Sequence, residues 1–476
     1  MWRSGGGFEQ RSSRSARATA RAKKRATALA VAFFVSGLAA TRPAPAEPAG
    51  AAAQEALGHT WGIEVKAGYR DSEETRLQSP FQFPLSFLPP GQTKGFLETP
   101  DEGQHFELAV VTLFYKGAWD NGIATKVKLD LIDRWDRNPS SSDRKWDIDE
   151  AWVRWGPEVD PGDPHEGLSA YVKLGKFPKF ERQDDRHLES YGLISTSFNR
   201  MEDIGLEVGF DFGRHFYLKS SLTQGNPLFF RDVNALAGDN GTPARDLSKP
   251  NPDPKVKSGL PIFYDADIDE IHFDNPEVGL GLGFRLNDDS GRFGLDVLAW
   301  GYARDLADRV ELNGTFYGGD LAIINGPVPS LTRPAQASGT EKREFGANIW
   351  LYAGDFSFFG QYVDAKVANL PRTGYEVELH YDWEMPYFEL FGQQVFSFIA
   401  PAFRYSKLDP EFTTTAYPAP SVRWEWEKKD IGVRLGLVSG LDLTLELSDN
   451  EFVRGGKKES EDEYLATFRY NWARNR

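Results

Sequence analysis

The chain has 476 residues, no cysteine, and 55 Lys and Arg residues against 70 Asp and Glu residues, which gives a formal net charge of −15. Its mean hydropathy is −0.48, and no stretch after residue 40 holds the ~20 consecutive apolar residues that a membrane-spanning helix needs. The composition therefore excludes a helical membrane protein, a disulfide scaffold and any site built on thiolates. The acidic balance argues against a nucleic-acid partner, and the 13% aromatic residues and 46 glycines favour an all-β chain.

The first 46 residues differ from the rest of the chain. Eight basic residues and one acid occupy residues 1–25, a thirteen-residue apolar run follows at 28–40, and Ala44-Pro45-Ala46 comes next. A basic region, a short apolar region and an A-x-A site in this order predict a secretory signal peptide; a disordered basic tail is the alternative. Residues 47–59 would then be a short periplasmic segment. Removing the nine basic residues and one acid of residues 1–46 leaves a net charge of −23.

Beyond residue 60, apolar and polar residues alternate with a period of two. The clearest stretches are Ile204–Phe212, Val278–Leu286, Tyr375–Trp383 and Leu441–Leu447. Successive side chains of a strand point to opposite faces, so each stretch has one apolar face and one polar or glycine face. Sixteen such stretches are predicted as strands, near 60–70, 105–117, 122–133, 146–156, 168–177, 202–212, 214–224, 276–287, 291–304, 343–354, 355–366, 373–384, 392–407, 422–437, 441–451 and 462–472.

The lengths of the connections alternate as well. Connections that follow an odd-numbered strand are mostly long, whereas most others are tight turns such as Ala118–Asn121 and Val438–Gly440. A transmembrane antiparallel β-barrel with short periplasmic turns and long extracellular loops produces this alternation, and a soluble β-sandwich does not. The predicted fold is therefore all-β, a barrel of about 16 strands over residues 60–476. The long connections 225–275 and 305–342 could hide two more strands, so 18 strands are the alternative.

Aromatic residues near strand ends predict girdles at the two membrane interfaces. They are Tyr69, Trp119, Trp135, Trp146, Trp152, Trp155, Trp300, Tyr302, Trp350, Tyr352, Tyr381 and Trp383. The terminal stretch Tyr464–Trp472 places aromatic residues on one face and resembles the C-terminal insertion signal of Gram-negative outer-membrane barrels. The resemblance implies recognition by the barrel-assembly machinery.

Residues Tyr171–Phe180 followed by Ser197–Glu207 are similar to the strand, loop and strand of phosphate-selective-type porins, the porin O and P group. The resemblance implies an outer-membrane porin, which is a passive diffusion channel for small polar or charged solutes. It implies no enzyme activity and no cofactor. The expected partners are outer-membrane lipid, lipopolysaccharide and the assembly machinery, and the sequence leaves open whether the channel is a homotrimer. Alternatives are an outer-membrane barrel enzyme or adhesin that acts through its long loops, an 18-stranded carbohydrate-selective porin, and a secreted soluble β protein.

If the apolar faces meet lipid, the opposite faces line an aqueous lumen. By resemblance, residues 178–201 would be a loop that folds inward and brings its charges against basic wall residues, which creates a field that discriminates solutes. The alternative is that these charges pair with one another on a solvated loop. The predicted pore-lining or constriction residues are Lys126, Lys128, Asp130, Lys173, Glu181, Arg182, Asp184, Asp185, Arg186, Glu207, Lys219, Glu378, His380, Arg404, Arg434 and Arg469.

Other signals in the sequence are weak. Asp265–Glu270 could bind Ca²⁺ but lacks the Gly and the distant Glu of an EF-hand, so a solvated acidic stretch is favoured. The seven histidines show no metal-ligand spacing and no nucleophile motif is present, so no catalytic or metal site is predicted. The carboxylates of the twelfth strand and the net charge of −23 favour cations as the preferred ions.

Overall fold

The computed structural model describes residues 58–73, 76–78, 96–98, 103–133, 147–157, 167–181, 183, 187–198, 202–225, 275–288, 292–305, 341–367, 370–385, 389–390, 392–411, 425–438, 440–454 and 457–475. The predicted signal peptide at 1–46 and the acidic stretch at 265–270 lie outside the described residues. So do residues 47–57 of the predicted periplasmic segment.

Sixteen long strands follow one another along the chain, and each coincides with one of the predicted stretches. They are β1 Gly58–Ser72, β2 Gly103–Ala118, β3 Ile123–Asp133, β4 Asp147–Trp155, β5 Leu168–Pro178, β6 Glu202–Phe212, β7 Phe216–Thr223, β8 Glu277–Asn287, β9 Phe293–Asp305, β10 Glu341–Ala353, β11 Phe356–Val367, β12 Leu370–Tyr381, β13 Phe398–Pro410, β14 Glu425–Val438, β15 Leu441–Arg454 and β16 Lys457–Asn475.

Each strand pairs antiparallel with the strands before and after it. The ring closes where β1 pairs with β16, in a register that runs from Thr60 opposite Asn475 to Ser72 opposite Glu463. The predicted all-β antiparallel barrel is thereby confirmed. Because the sixteen strands already form a closed ring, the wall has no gap for two more strands, and the 18-stranded alternative is wrong.

Short strands and one short helix accompany the sixteen long strands in the described residues. Arg76–Gln78 pairs with Phe96–Glu98 beyond the end of β1, and Glu389–Leu390 pairs with Gln393–Gln394. Trp383–Glu384 continues the pairing of β12 with β13. Among the described residues, the one helix is α1 Leu193–Ser197, and no described helix is long and apolar enough to cross a membrane.

The two faces of the wall have opposite chemistry. In β8, the side chains of Val278, Leu280 and Leu282 are more than half exposed on the outside, whereas Glu277 and Arg285 are fully buried on the inside. A soluble protein would show the reverse pattern. An apolar outer face and a polar inner face are what a barrel surrounded by lipid requires.

The aromatic residues divide between the two faces. Tyr69, Trp119 and Trp155 are exposed near strand ends, as the predicted girdles require. Trp152, Trp300 and Tyr302 are buried on the inner face, so the prediction that these three belong to the girdles is wrong. The polar ends of these rings explain their position, since the indole nitrogens of Trp152 and Trp300 donate hydrogen bonds to Glu150 and Asn348. Trp135 and Trp146 lie outside the described residues.

The outward side of β8 provides a test of the membrane setting. Leu282 lies at the middle of the strand and points outward. We expect Leu282→Arg to lower the free energy of unfolding in lipid vesicles by about 2–4 kcal/mol, because a charge is then held in hydrocarbon. The matched variant Leu282→Ile should cost less than ~1.5 kcal/mol. Urea titrations of both variants would measure this, and equal costs would argue against a lipid-facing surface.

Candidate functional site

The connection between β5 and β6 enters the barrel. We call residues 179–201 the lumen segment; its residues 179–181, 183 and 187–198 are described, including α1. Its partners are inward-facing side chains of strands from β8 around to β16 and of β1, the strand that closes the ring. The segment therefore lies along the inner wall.

The first anchor of the lumen segment is Glu181, which is fully buried. Its carboxylate accepts a hydrogen bond from the Tyr302 hydroxyl of β9. Its backbone carbonyl accepts hydrogen bonds from Asn348 Nδ2 of β10 at 2.5 Å and from Gln361 Nε2 of β11 at 3.2 Å. Three adjacent strands thus hold one residue.

Next to it, Lys179 forms an ion pair with Glu277 of β8, and Glu277 also pairs with Lys342 of β10 at 2.9 Å. Burial raises the pKa of Glu181 to about 7, against the opposing effects of Lys179 and of the Tyr302 hydrogen bond. Burial by itself would lower the pKa of Lys179, but the carboxylates around it, Glu277 first, hold that pKa above its usual value.

The middle of the lumen segment meets β12. His187 Nδ1 lies 2.6 Å from Glu378 Oε1, and Gln183 Nε2 donates to the same oxygen at 3.3 Å. The imidazole rings of His187 and His380 stack, with centroids 3.5 Å apart and planes 18° from parallel. Arg404 of β13 lies 3.5 Å from the other oxygen of Glu378.

Glu189 is bound by two cations of the closing strands. Its carboxylate lies 3.1 Å from Lys66 Nζ of β1 and forms an ion pair with Arg469 of β16. Lys66 and Arg469 are directly opposite in the β1–β16 register, so both point to the inner face. Closure of the ring therefore brings together the two cations that bind this carboxylate.

Ser190 joins the lumen segment to a buried charge network. Its amide donates to Glu446 Oε2 at 3.1 Å, and its carbonyl accepts from Arg404 Nη2 at 2.8 Å. The same guanidinium lies 2.9 Å from Asp430 of β14 and 4.0 Å from Glu446 of β15. Arg404 is fully buried, and its charge is offset by carboxylates on both sides and by Glu378 of β12.

The wall also caps α1. The helix has no side-chain cap of its own, and the first amides of a helix need acceptors from elsewhere. The amide of Leu193 donates to Ser406 Oγ of β13 at 3.3 Å, and the amide of Ile194 donates to Glu376 Oε2 of β12 at 3.4 Å. The short helix therefore depends on the barrel for its N-terminal hydrogen bonds.

Glycines on the inner wall make room for the apolar side chains of the lumen segment. A Cβ at Gly432 of β14 would lie 2.6 Å from Leu188 Cδ2, and one at Gly374 of β12 would lie 2.7 Å from Ile194 Cδ1. A Cβ at Gly281 of β8 would likewise lie 2.7 Å from the Phe180 ring. Any larger residue at these positions would push the segment away from the wall.

The inner faces of β3 and β4 carry separate ion pairs. Lys126 lies 2.6 Å from Glu150 and Lys128 lies 2.5 Å from Asp149. Asp130 accepts a hydrogen bond from Thr112 of β2. The side chains of Lys126 and Lys128 stay 26% and 33% exposed.

The predicted site residues thus occupy different places. Glu181, Glu378, His380, Arg404 and Arg469 meet the lumen segment or its partners. The remaining described ones lie elsewhere on the inner wall: Lys173 lies 3.2 Å from Glu207, Arg434 pairs with Asp442, Lys219 lies over the Tyr217 ring, and Lys126, Lys128 and Asp130 are on β3. The predicted residues Arg182, Asp184, Asp185 and Arg186 lie outside the described residues.

Several residues of the arrangement were not predicted from the sequence. Lys428 and Asp430 share the inward parity of the predicted Arg434 on β14, and Lys66 alternates with the apolar Val65 and Ala67 on β1, so the alternation could have found them. Ser190 offers no signal of its own, because a serine in a polar connection is unremarkable until its partners are known. Lys428 completes the arrangement by donating to the Tyr191 carbonyl at 2.5 Å.

Comparison with protein-family models and with curated proteins finds no match. Among solved structures, the chain is similar to OprB of Pseudomonas putida, with 9% identity and a TM-score of 0.48 over 88% of this chain and 94% of that one. It is also similar to the outer membrane channel DcaP of Acinetobacter baumannii, with 10% identity and a TM-score of 0.42 over 89% and 100% of the two chains. The outer membrane protein OpdK of Pseudomonas aeruginosa has 10% identity and a TM-score of 0.37 over 87% and 99%. Likenesses this distant assign no function to this chain.

Arg404 provides a test of the buried network. We expect Arg404→Met to lower the free energy of unfolding by about 3–5 kcal/mol, because the variant leaves buried carboxylates without their cation. Arg343 is the matched control, since its side chain is 60% exposed and pairs with Glu341 on the outside. Arg343→Met should change stability by less than ~1 kcal/mol. Urea titration in lipid vesicles measures both, and similar costs would contradict the role of Arg404.

Glu181 predicts a pH dependence of stability. Its pKa rises from 4.5 to about 7 in the folded protein, so the folded state holds the proton more tightly than the unfolded chain does. Ionising Glu181 therefore destabilises the fold: the penalty is absent below about pH 4.5 and complete above about pH 7. Relative to Glu181→Gln, the wild type should lose up to roughly 3 kcal/mol between these values. A difference between the two proteins that is independent of pH would contradict the assignment.

Proposed function

We propose that the protein is an outer-membrane porin, a passive diffusion channel for small polar or charged solutes. The observation that supports this most is the combination of a closed sixteen-stranded ring, an apolar outer face, and a charged inner face against which a connection is anchored. A barrel of this size encloses an aqueous channel unless something fills it. The lumen segment narrows such a channel without adding a strand to the wall.

The location and partners follow from the same proposal. The signal peptide at 1–46 would export the chain, and the outer membrane would receive it. The barrel-assembly machinery would recognise β16, where Phe468, Tyr470 and Trp472 are exposed on one side. Lipid would cover the outer face, lipopolysaccharide would contact the long-loop end, and a homotrimer is compatible with the outward apolar surface.

Water reaches the inner charges unequally, which bears on ion preference. The side chains of Lys126, Lys128 and Arg434 are 25–33% exposed, whereas those of Asp430 and Glu446 are fully buried in ion pairs. Three inner carboxylates of the described residues remain accessible, Glu64 at 24%, Asp149 at 19% and Asp382 at 34%. Arg469 of the closing strand is accessible as well, at 17%. The accessible charge of the lumen is therefore more basic than the net charge of −23 suggests.

We therefore propose a weak preference for anions, which replaces the expectation of a cation preference from the net charge. A finer assignment, to the phosphate-selective O and P group, has the support of the resemblance in β5 and β6 and of this accessible basic surface. Transport would proceed by electrodiffusion, with ions following the field of the inner charges. Neither bond chemistry nor a cofactor is part of the proposal.

The basic pair on β3 provides the test. We expect Lys126→Ala combined with Lys128→Ala to lower the permeability of Cl⁻ relative to K⁺ by about threefold, because the variant leaves Glu150 and Asp149 without their cations. The measurement is the reversal potential in planar bilayers under a KCl gradient.

The matched control removes the same charge from the outside. Lys429 and Lys458 are 44% and 60% exposed and contact Glu451. Lys429→Ala combined with Lys458→Ala should leave the reversal potential close to that of the wild type. Absence of single-channel conductance in the wild type would refute the porin proposal. An equal shift of the reversal potential in both double variants would refute the role of β3.

A further inference from the structure

One contact between the lumen segment and the wall is made by two imidazole rings. His187 of the segment stacks on His380 of β12 with a centroid distance of 3.5 Å. Histidine is the side chain whose charge ordinarily changes between about pH 5 and pH 8. Two protonated rings at this distance repel each other, so the contact depends on the number of protons that the pair holds.

Two carboxylates and one hydroxyl accommodate a single proton on the pair. Glu378 of β12 lies 2.6 Å from His187 Nδ1. On the other ring, Asp382 lies 3.5 Å from His380 Nε2, and Ser357 Oγ of β11 lies 3.4 Å from Nδ1. One positive charge shared by the stack is thus balanced by neighbouring carboxylates.

A second proton meets a different environment. Arg404 of β13 already lies 3.5 Å from Glu378 and takes up part of its charge, and Gln183 occupies the oxygen that His187 uses. Arg434 of β14 also acts electrostatically on His380, in the same sense as a protonated His187. The second proton would therefore be added beside a cationic ring and two arginines.

We propose that the His187–His380 stack is a proton-sensitive contact that positions His187 and Leu188 of the lumen segment, holding them against the wall at neutral pH and releasing them when both rings are protonated. The inference rests on the proposed channel function for its effect on conduction. The segment stays anchored on both sides of His187, at Glu181 and at Glu189. Because the wall lies behind them, His187 and Leu188 move inward when the contact is released, so acidic pH lowers conductance.

The first experiment is single-channel recording in planar bilayers at about pH 7.5 and about pH 5, the range in which histidine titrates. We expect the wild-type conductance to fall at least about twofold at the lower pH, because the contact is then released in most of the channels. His187→Gln and His380→Phe should lose this response. The second of these keeps an aromatic ring for stacking but cannot take a proton.

Two control variants separate this contact from other titrating groups. His215 lies in the turn between β6 and β7, where its Nδ1 is 3.1 Å from the Arg285 carbonyl, and His215→Gln should keep the full response. His59→Gln should keep it too, because His59 Nδ1 of β1 lies 2.7 Å from the Tyr115 hydroxyl of β2 and does not touch the stack. Loss of the response in either control, its persistence in His187→Gln or His380→Phe, or a wild type that conducts equally at both pH values would overturn the inference.

A second measurement does not depend on conduction. The chain has no cysteine, so Leu188→Cys introduces a single thiol next to His187, at a position that is 2% exposed. Its rate of modification by a small thiol reagent, divided by the rate for Leu390→Cys at an exposed turn, should rise at least about tenfold from pH 7.5 to pH 5. Adding His380→Phe to Leu188→Cys should abolish the rise.

The labelling ratio also separates failure of this inference from failure of the porin proposal. A ratio that rises in a protein without any conductance would leave the contact established and the porin proposal refuted. A ratio that stays constant in a conducting wild type would refute the contact alone.

Discussion

A barrel wall surrounded by lipid must pair every backbone N–H and C=O group, because hydrocarbon offers no hydrogen-bond partner. This constraint explains the closure of β1 on β16 in a single register, from Thr60 opposite Asn475 to Ser72 opposite Glu463. Once the ring is closed, the parity of each strand decides which side chains meet lipid and which meet the interior. Leu282 and Arg285 occupy their opposite environments for this reason.

The interior that results is organised by charge. Arg404, Asp430 and Glu446 are each fully or nearly fully buried; Arg404 contacts both carboxylates, and Arg404 and Glu446 also bind the lumen segment at Ser190. Burying ions costs free energy that good geometry must offset, so the network specifies where the segment can lie. Glu189 must likewise lie beside Lys66 and Arg469, the two cations of the closing strands. Closure of the ring and placement of the segment are thus coupled.

Much of this arrangement can be predicted from the sequence, since period-two alternation identifies all sixteen strands and the lengths of the connections identify the two ends of the barrel. Parity also places Lys126, Glu378 and Arg404 on the inner face. Contacts are harder to predict: Glu189 and Lys66 are 123 residues apart, and nothing local relates them. The inward Trp300 was mistaken for a girdle residue because the alternation does not reveal the buried Asn348 that its indole needs. Net charge does not describe the accessible charge of the interior for a related reason, since it weighs buried and accessible carboxylates equally.

The glycines of the inner wall relate strand register to the position of the lumen segment. Gly374 and Gly432 have the parity of the polar face, where a side chain would ordinarily project into water, yet they meet Ile194 and Leu188 of the lumen segment. Their lack of a side chain lets apolar groups reach the backbone of the wall, so the segment can lie flat between charged neighbours. A shift of one residue in the register of either strand would turn these surfaces outward and the apolar face inward. The position of the lumen segment, and with it the set of inner charges that stay accessible, therefore follows from strand register.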